Sequence, residues 1–198
     1  MTLAERHPRD GLELLAFDSP AAWERWLARE HRRSSGLWLK IAKRDSGVIT
    51  IGYQEALEVA LCWGWIDGQR GRHDATYFLT RFTPRKPRSR WSQRNCALAE
   101  VLIAKGAMRP AGLVEVERAR GDGRWEAAYP SQANATVPPD LEAALDATPA
   151  ALAFFNTLDG SNRYAFLYRL HHLRDEAARA ARIDRYVEML ARGETLHE

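Results

Sequence analysis

Two stretches of this sequence bring together the residue types that a binding or catalytic site needs. Leu61-Cys62-Trp63-Gly64-Trp65-Ile66-Asp67-Gly68 sets aromatic surface beside a carboxylate and two glycines. Phe82-Thr83-Pro84-Arg85-Lys86-Pro87-Arg88-Ser89-Arg90-Trp91-Ser92 sets cations around a Trp in a proline-stiffened loop. No acidic residue occurs from Ala75 to Ala99, while Arg81, Arg85, Lys86, Arg88, Arg90 and Arg94 all fall there. A local field of that sign draws phosphates, carboxylates or acidic partners. The candidate ligand-binding set is therefore Trp38, Lys40, Trp65, Asp67, Arg85, Lys86, Arg88 and Trp91, read as an anion-facing cleft. Asp67 is the one catalytic candidate: a carboxylate between Ile66 and Gly68 could act as a general base, its proton affinity set by apolar walls and arginines in opposition. The competing reading is an Asp that holds the next turn or pairs with Arg70 or Arg85. Trp38 and Lys40 carry the same ambiguity, since a Trp lying over a sheet beside a snorkelling Lys has the same pattern as a pocket wall.

Other chemistries lack their residues. His7, His31, His73, His171, His172 and His197 form no H-x-x-H or H-x-x-x-H pair, and neither Cys62 nor Cys96 lies at zinc spacing, so no metal site is expected. There is no G-x-G-x-x-G, P-loop or G-x-S-x-G, and no cofactor is expected. Cys62 closes an apolar helical segment, the setting of an inert thiol. Arg-rich loops beside Trp91, Phe82 and Tyr77 fit phosphate contacts with stacking. The basic window is short, however, and meets few phosphates, which disfavours nucleic acid as the partner.

The elements that must position these residues follow from periodicity and punctuation. Residues 12–17 read as a strand, and Ser19-Pro20 starts a helix that carries Trp23 and Trp26 inward. Leu37–Lys43 alternates, with Leu37, Leu39 and Ile41 on one face and Trp38 and Lys40 on the other. Thr50 is the expected cap of a helix burying Tyr53, Ala56, Leu57, Ala60 and Leu61, and Gly64 ends it. Strands over 65–70 and 76–82 pair antiparallel through a hairpin at Gly71–Asp74. Ser89 or Ser92 then caps a helix to Ala104, with Trp91, Ala97, Leu98, Val101 and Leu102 as candidates for its inner face. Another runs over 110–120, with Leu113, Val114 and Val116 available for packing. The Ser/Asn/Thr/Pro-rich segment 124–139 marks a boundary, beyond which helices are predicted over 140–147, 149–158, 161–172 and 176–191. Arg179, Arg182 and Arg185 form a ridge on the last of these. The fold class is α+β: a small mixed four-stranded sheet packed by helices in a domain spanning 1–130, followed by an all-helical subdomain spanning 138–198.

The totals agree with a folded globular chain. At 198 residues, 45% hydrophobic and 28% charged, with a net charge of +3, it holds one well-buried core or a core with an appended subdomain. Met1–Asp10 is polar, without the apolar stretch of an export signal. No run reaches the roughly 18 apolar residues of a membrane helix. The expected setting is the cytoplasm, with two reduced thiols.

Ser35-Gly36-Leu37-Trp38-Leu39, the run from Tyr53 to Gly68, Phe82–Pro87 with Ser89–Asn95, and Gly106-Ala-Met-Arg-Pro-Ala-Gly112 resemble the bacterial YdeI/OmpD-associated family. The segment from Val137-Pro138-Pro139-Asp140-Leu141 to Arg179–Gly193 is similar to that family's helical tail. Together the resemblance covers nearly all of the chain after about residue 17. The tail departs from the family's Pro-x-Thr-Arg-x-Arg-Arg-Ile: Glu176, Ala178 and Ala181 replace Pro, Thr and one Arg, while Arg179, Arg182 and Ile183 remain. The resemblance implies protection against bacteriocins or antimicrobial peptides and association with an outer-membrane porin, and it carries no catalytic residues. The expected function is a non-enzymatic stress or bacteriocin-protection protein that binds an anionic or aromatic ligand, or a protein partner, at the Trp/Arg cleft. The alternative is a small-molecule enzyme using Asp67 with Arg85 or Arg88.

Overall fold

The computed structural model describes residues 5–196, and its fold class is α+β. The described residues form four strands and eight helices that fall into two compact units. One spans the chain to Trp91 together with Asn95–Ala128; the other is Ser92–Arg94 with Tyr129 onward.

The first unit is built on a sheet of β1 (Glu13–Leu15), β2 (Leu37–Ala42), β3 (Trp65–Arg72) and β4 (Tyr77–Pro84), in the order β1-β2-β4-β3. β1 and β2 are parallel, because α1 (Pro20–Glu30) crosses between them. The β3–β4 hairpin is antiparallel as expected, but its strands run farther than predicted. The turn is moved to His73–Thr76, where Asp74 Oδ1 accepts from the N–H groups of both Thr76 and Tyr77. Ser19 caps α1, accepting from Ala22 N at 3.3 Å. Thr50, by contrast, does not cap α2 (Tyr53–Cys62). Its hydroxyl accepts from Ala42 N at 2.8 Å, and the cap falls at Gly52, whose N–H donates to Glu55 Oε2 at 2.9 Å.

α2 lies at the middle of this unit because its small and large apolar residues face different ways. Ala56 and Ala60 pack on the sheet side with Trp23, Leu27, Leu39, Trp65 and Phe82. Leu57, Leu61 and Cys62 pack with Trp91, Cys96, Ala99, Leu102 and Val116 from α3 (Gln93–Ala104), α4 (Pro110–Gly121) and their flanks. Val101 and Val114, expected on inner faces, are exposed. Leu102 and Val116 are buried as expected, and the helical phase turns Cys96 and Ala99 inward beside them.

The second unit contains α5 (Pro139–Asp146), α6 (Pro149–Thr157), α7 (Gly160–His171) and α8 (Glu176–Ala191), close to the predicted spans. α8 packs on the other three, burying Ile183, Tyr186 and Leu190 against Leu141, Phe155, Phe166 and Leu170. Asp159 and Asp175 cap α7 and α8, accepting from Asn162 N and Ala178 N. No helix among the described residues is long and apolar enough to cross a membrane.

Candidate functional site

The residues around Gly64 form a pocket of about 280 Å³ within the first unit. Gly64 ends α2 with φ +73°. A Cβ there would stand 2.8 Å from Ala111 O and 3.2 Å from Glu115 Cγ, so only glycine lets α4 come this close. Gly112 makes the matching approach from α4: a Cβ on it would collide with the carbonyl oxygens of Cys62 and Leu61. The Gly64 carbonyl accepts from Arg85 N at 2.9 Å, which ties the end of β4 to the same point. One glycine thus joins α2, α4 and the start of the basic loop.

Three of the lining residues carry buried polar groups. The Arg85 guanidinium is buried, with the residue 6% exposed; its Cζ lies 3.4 Å from the centre of the Trp91 ring and Nη1 donates to Arg90 O at 3.1 Å. Glu115 places Oε1 on Arg118 at 2.6 Å, while its Oε2 is buried with no hydrogen-bond partner among the described residues. The Trp63 indole N–H is likewise buried without an acceptor, its ring beside that of His31 at 4.8 Å. The first turn of α4, at Pro110 and Ala111, completes the wall with the positive end of a helix. Trp63, Glu115 and Arg85 thus line one cavity bounded by aromatic rings, with the unmatched indole N–H and carboxylate oxygen buried in the packing beside it.

The predicted site residues do not all meet here. Trp65 and Arg85 line the pocket, and Trp91 supports it from beneath Arg85. Trp65 is nonetheless buried at 1% exposure, its indole N–H donating to His31 O at 3.2 Å, so it works as a wall. Trp38 and Lys40 lie on the opposite face of the sheet from Trp65. Trp38 packs with Leu14 and Leu79, stacks on His7 at 4.3 Å and donates to Asp10, while Lys40 pairs with Glu5. Burial alone would raise the Asp10 pKa, but the Trp38 indole, Leu12 N–H and Arg81 charge together hold it below the usual range. Asp67 accepts from the Tyr53 hydroxyl at 2.6 Å, just before the irregularity in the β3–β4 register. Arg70 lies over the Tyr53 ring rather than on the carboxylate. Lys86 and Arg88 are exposed on a turn in which Lys86 N donates to Ser89 Oγ.

Sequence reasoning passed over Trp63 and Glu115 as site residues. The available signal was Gly112, a glycine inside an apolar helical run, which marks a close backbone approach. Cys62 and Cys96 are buried, and burial pushes both thiols up to about 11. The described residues hold no group of three or more His, Cys, Asp or Glu arranged to bind a metal ion.

A family model described as a domain of unknown function (DUF8412) matches residues 15–115, just over half of the chain and all the walls of this pocket. The chain belongs to this family. A second model, described as Bacteriocin-protection, YdeI or OmpD-Associated, matches residues 134–193. This DUF8412 chain therefore carries a YdeI/OmpD-associated domain in its helical C-terminal unit. The GWIDG and FTPR stretches fall within the DUF8412 match, so the likeness to the YdeI/OmpD-associated family rests on residues 134–193 alone. No curated protein and no solved structure matches the chain. Within the C-terminal match, the positions that depart from the expected tail motif (Glu176, Ala178 and Ala181) are exposed. Of the retained residues, Ile183 is core and Arg179 braces α8 through Asp140 and the Leu170 carbonyl.

Proposed function

We propose that this protein is a non-enzymatic binding protein of the bacteriocin- or stress-protection type, which takes a small anionic or aromatic ligand in the Gly64 pocket. The observation that carries this reading is that two residues lining the pocket, Trp63 and Glu115, each hold a buried polar atom, Nε1 and Oε2, with no partner among the described residues. Buried polar groups are ordinarily satisfied, and leaving one unmet costs about 1–3 kcal/mol. A ligand that offers an acceptor to the indole and a donor to the carboxylate recovers that cost. The Arg85 charge and the α4 N-terminus favour a negative edge on the same ligand, and the aromatic walls favour a flat one. Glu115 adds a condition: an anion without a donor group would meet its carboxylate unfavourably. A role in protection is in keeping with the bacteriocin-protection description of the family matched at 134–193.

Anthranilate, a flat carboxylate with an adjacent amine, is the probe this pocket fits. Titration followed by calorimetry should give saturable binding to the wild type and weaker binding to Trp63→Phe and Glu115→Gln. Trp63→Phe removes the indole N–H and Glu115→Gln exchanges a carboxylate oxygen for an amide NH2; both preserve shape better than Arg85→Ala, which would also unstack Trp91. Equal affinity across the three proteins would count against the pocket.

A further inference from the structure

The C-terminal unit has a pocket of its own, of about 350 Å³, that the Gly64 reading does not use. Tyr164 and Tyr168 project from α7 one turn apart, and Tyr129 closes on Tyr168 edge-on at a centroid distance of 4.9 Å. The Tyr164 hydroxyl donates to Pro130 O at 2.8 Å, which fixes the proline-bearing segment 130–139 against α7, and burial pushes its pKa up to about 12. The phenol is therefore a neutral, rigid wall at any physiological pH. Leu167, 6% exposed, contributes apolar surface. A second hollow, lined by Ser161 and Arg169, shares the three tyrosines.

Three aromatic faces around a cavity are also the layout of a cage for an organic cation. The charges decide against that here. No Asp or Glu lines either hollow, whereas Arg179, Arg169 and His171 do. Arg179 is held in place by Asp140, which accepts from Nε and Nη2, and by Leu170 O, which accepts from Nη1. Three of its five N–H donors are engaged; Asp140 offsets part of its charge and holds the guanidinium in one orientation, with two N–H donors left.

We propose that the tyrosine-walled pocket of the C-terminal unit is a second binding site, for a small aromatic carboxylate that needs no donor group of its own. The ring stacks among Tyr129, Tyr164 and Tyr168, and the carboxylate faces Arg179 and His171. This site stands independently of the Gly64 pocket, and benzoate separates the two, because it lacks the amine that Glu115 requires.

The test is a titration of the full chain with benzoate and, separately, with benzyltrimethylammonium, followed through the tyrosine ring resonances by NMR. Benzoate should shift the Tyr164 and Tyr168 signals saturably, and benzyltrimethylammonium should not. Tyr168→Ala should weaken benzoate about tenfold, exposed His171→Ala should weaken it measurably, and Trp63→Phe should leave it unchanged. The proposal is overturned by tighter binding of the ammonium probe, by no saturable shift up to about 10 mM benzoate, or by sensitivity to Trp63→Phe with none to His171→Ala. Since benzoate on the wild type and His171→Ala do not depend on Tyr168→Ala folding, each outcome is readable.

Discussion

Asp67 and Glu115 are two carboxylates near the same aromatic cluster, and their partners assign them different work. Asp67 accepts from the Tyr53 hydroxyl, linking α2 to β3, whereas Glu115 keeps a buried oxygen with no hydrogen-bond partner among the described residues. Asp67→Asn should therefore lower stability by about 1 kcal/mol, as expected for weakening one hydrogen bond to a charged acceptor, and leave anthranilate affinity unchanged; urea unfolding and calorimetry check the two halves. The thiols give a second expectation at this scale. With both pushed up to about 11 by burial, Cys62 and Cys96 should resist iodoacetamide at pH 8 in the native protein and react rapidly once it is unfolded, as read by mass spectrometry. A rapidly alkylated native thiol would mean that α2 or α3 opens far more readily than its packing implies. Composition made the cationic loop legible, but not which cations stay wet. Arg85 and Lys86 are neighbours in sequence, yet one is buried over Trp91 and the other faces solvent, because Pro84 and the Gly64 carbonyl fix the chain direction between them.

Among the elements, the Gly64–Gly112 approach sets the pocket. Gly64→Ala forces a Cβ into both a positive φ and the Ala111 carbonyl. The expected loss is about 2 kcal/mol or more, seen in the urea midpoint. The α5–α8 brace responds to pH. The hydrogen bond from Arg179 holds the Asp140 pKa below its ordinary 3.8, outweighing burial. A depressed folded-state pKa contributes stability that is fully present above the unfolded value and fades as pH falls through the folded one. The melting temperature of Asp140→Asn should thus lie below that of the wild type at pH 7, and the gap should close on acidification below 3.8; a gap that persisted would assign the effect to helix capping instead. Element positions were readable because prolines and glycines punctuate the chain: Pro139, Pro149 and Gly160 each sit at a helix start. Thr50 misled because a strand N–H, 8 residues back, competed for its hydroxyl. Val101 and Val114 misled because hydrophobicity fixes a helix face only when the neighbouring element is known.

At the scale of the whole molecule, two units correspond to two family matches, one spanning 15–115 and the other 134–193. The sequence marks a boundary by the Ser/Asn/Thr/Pro content of 124–139, although the last strand, β4, already ends at Pro84. The candidate pocket was only half visible. Trp65, Arg85 and Trp91 belong to it or support it, but Trp38 and Lys40 follow the strand alternation to the other face of the sheet. Trp63 and Glu115 lie 52 positions apart, joined by a glycine contact that no local pattern encodes. We propose that these two polar groups together recognise a ligand. Calorimetric titration of anthranilate into the wild type, Trp63→Phe and Glu115→Gln tests it directly. The prediction is saturable binding to the wild type and about tenfold weaker binding to each variant, with melting temperatures within about 3 °C of one another; equal affinity in all three folded proteins, or no binding to the wild type, would contradict it.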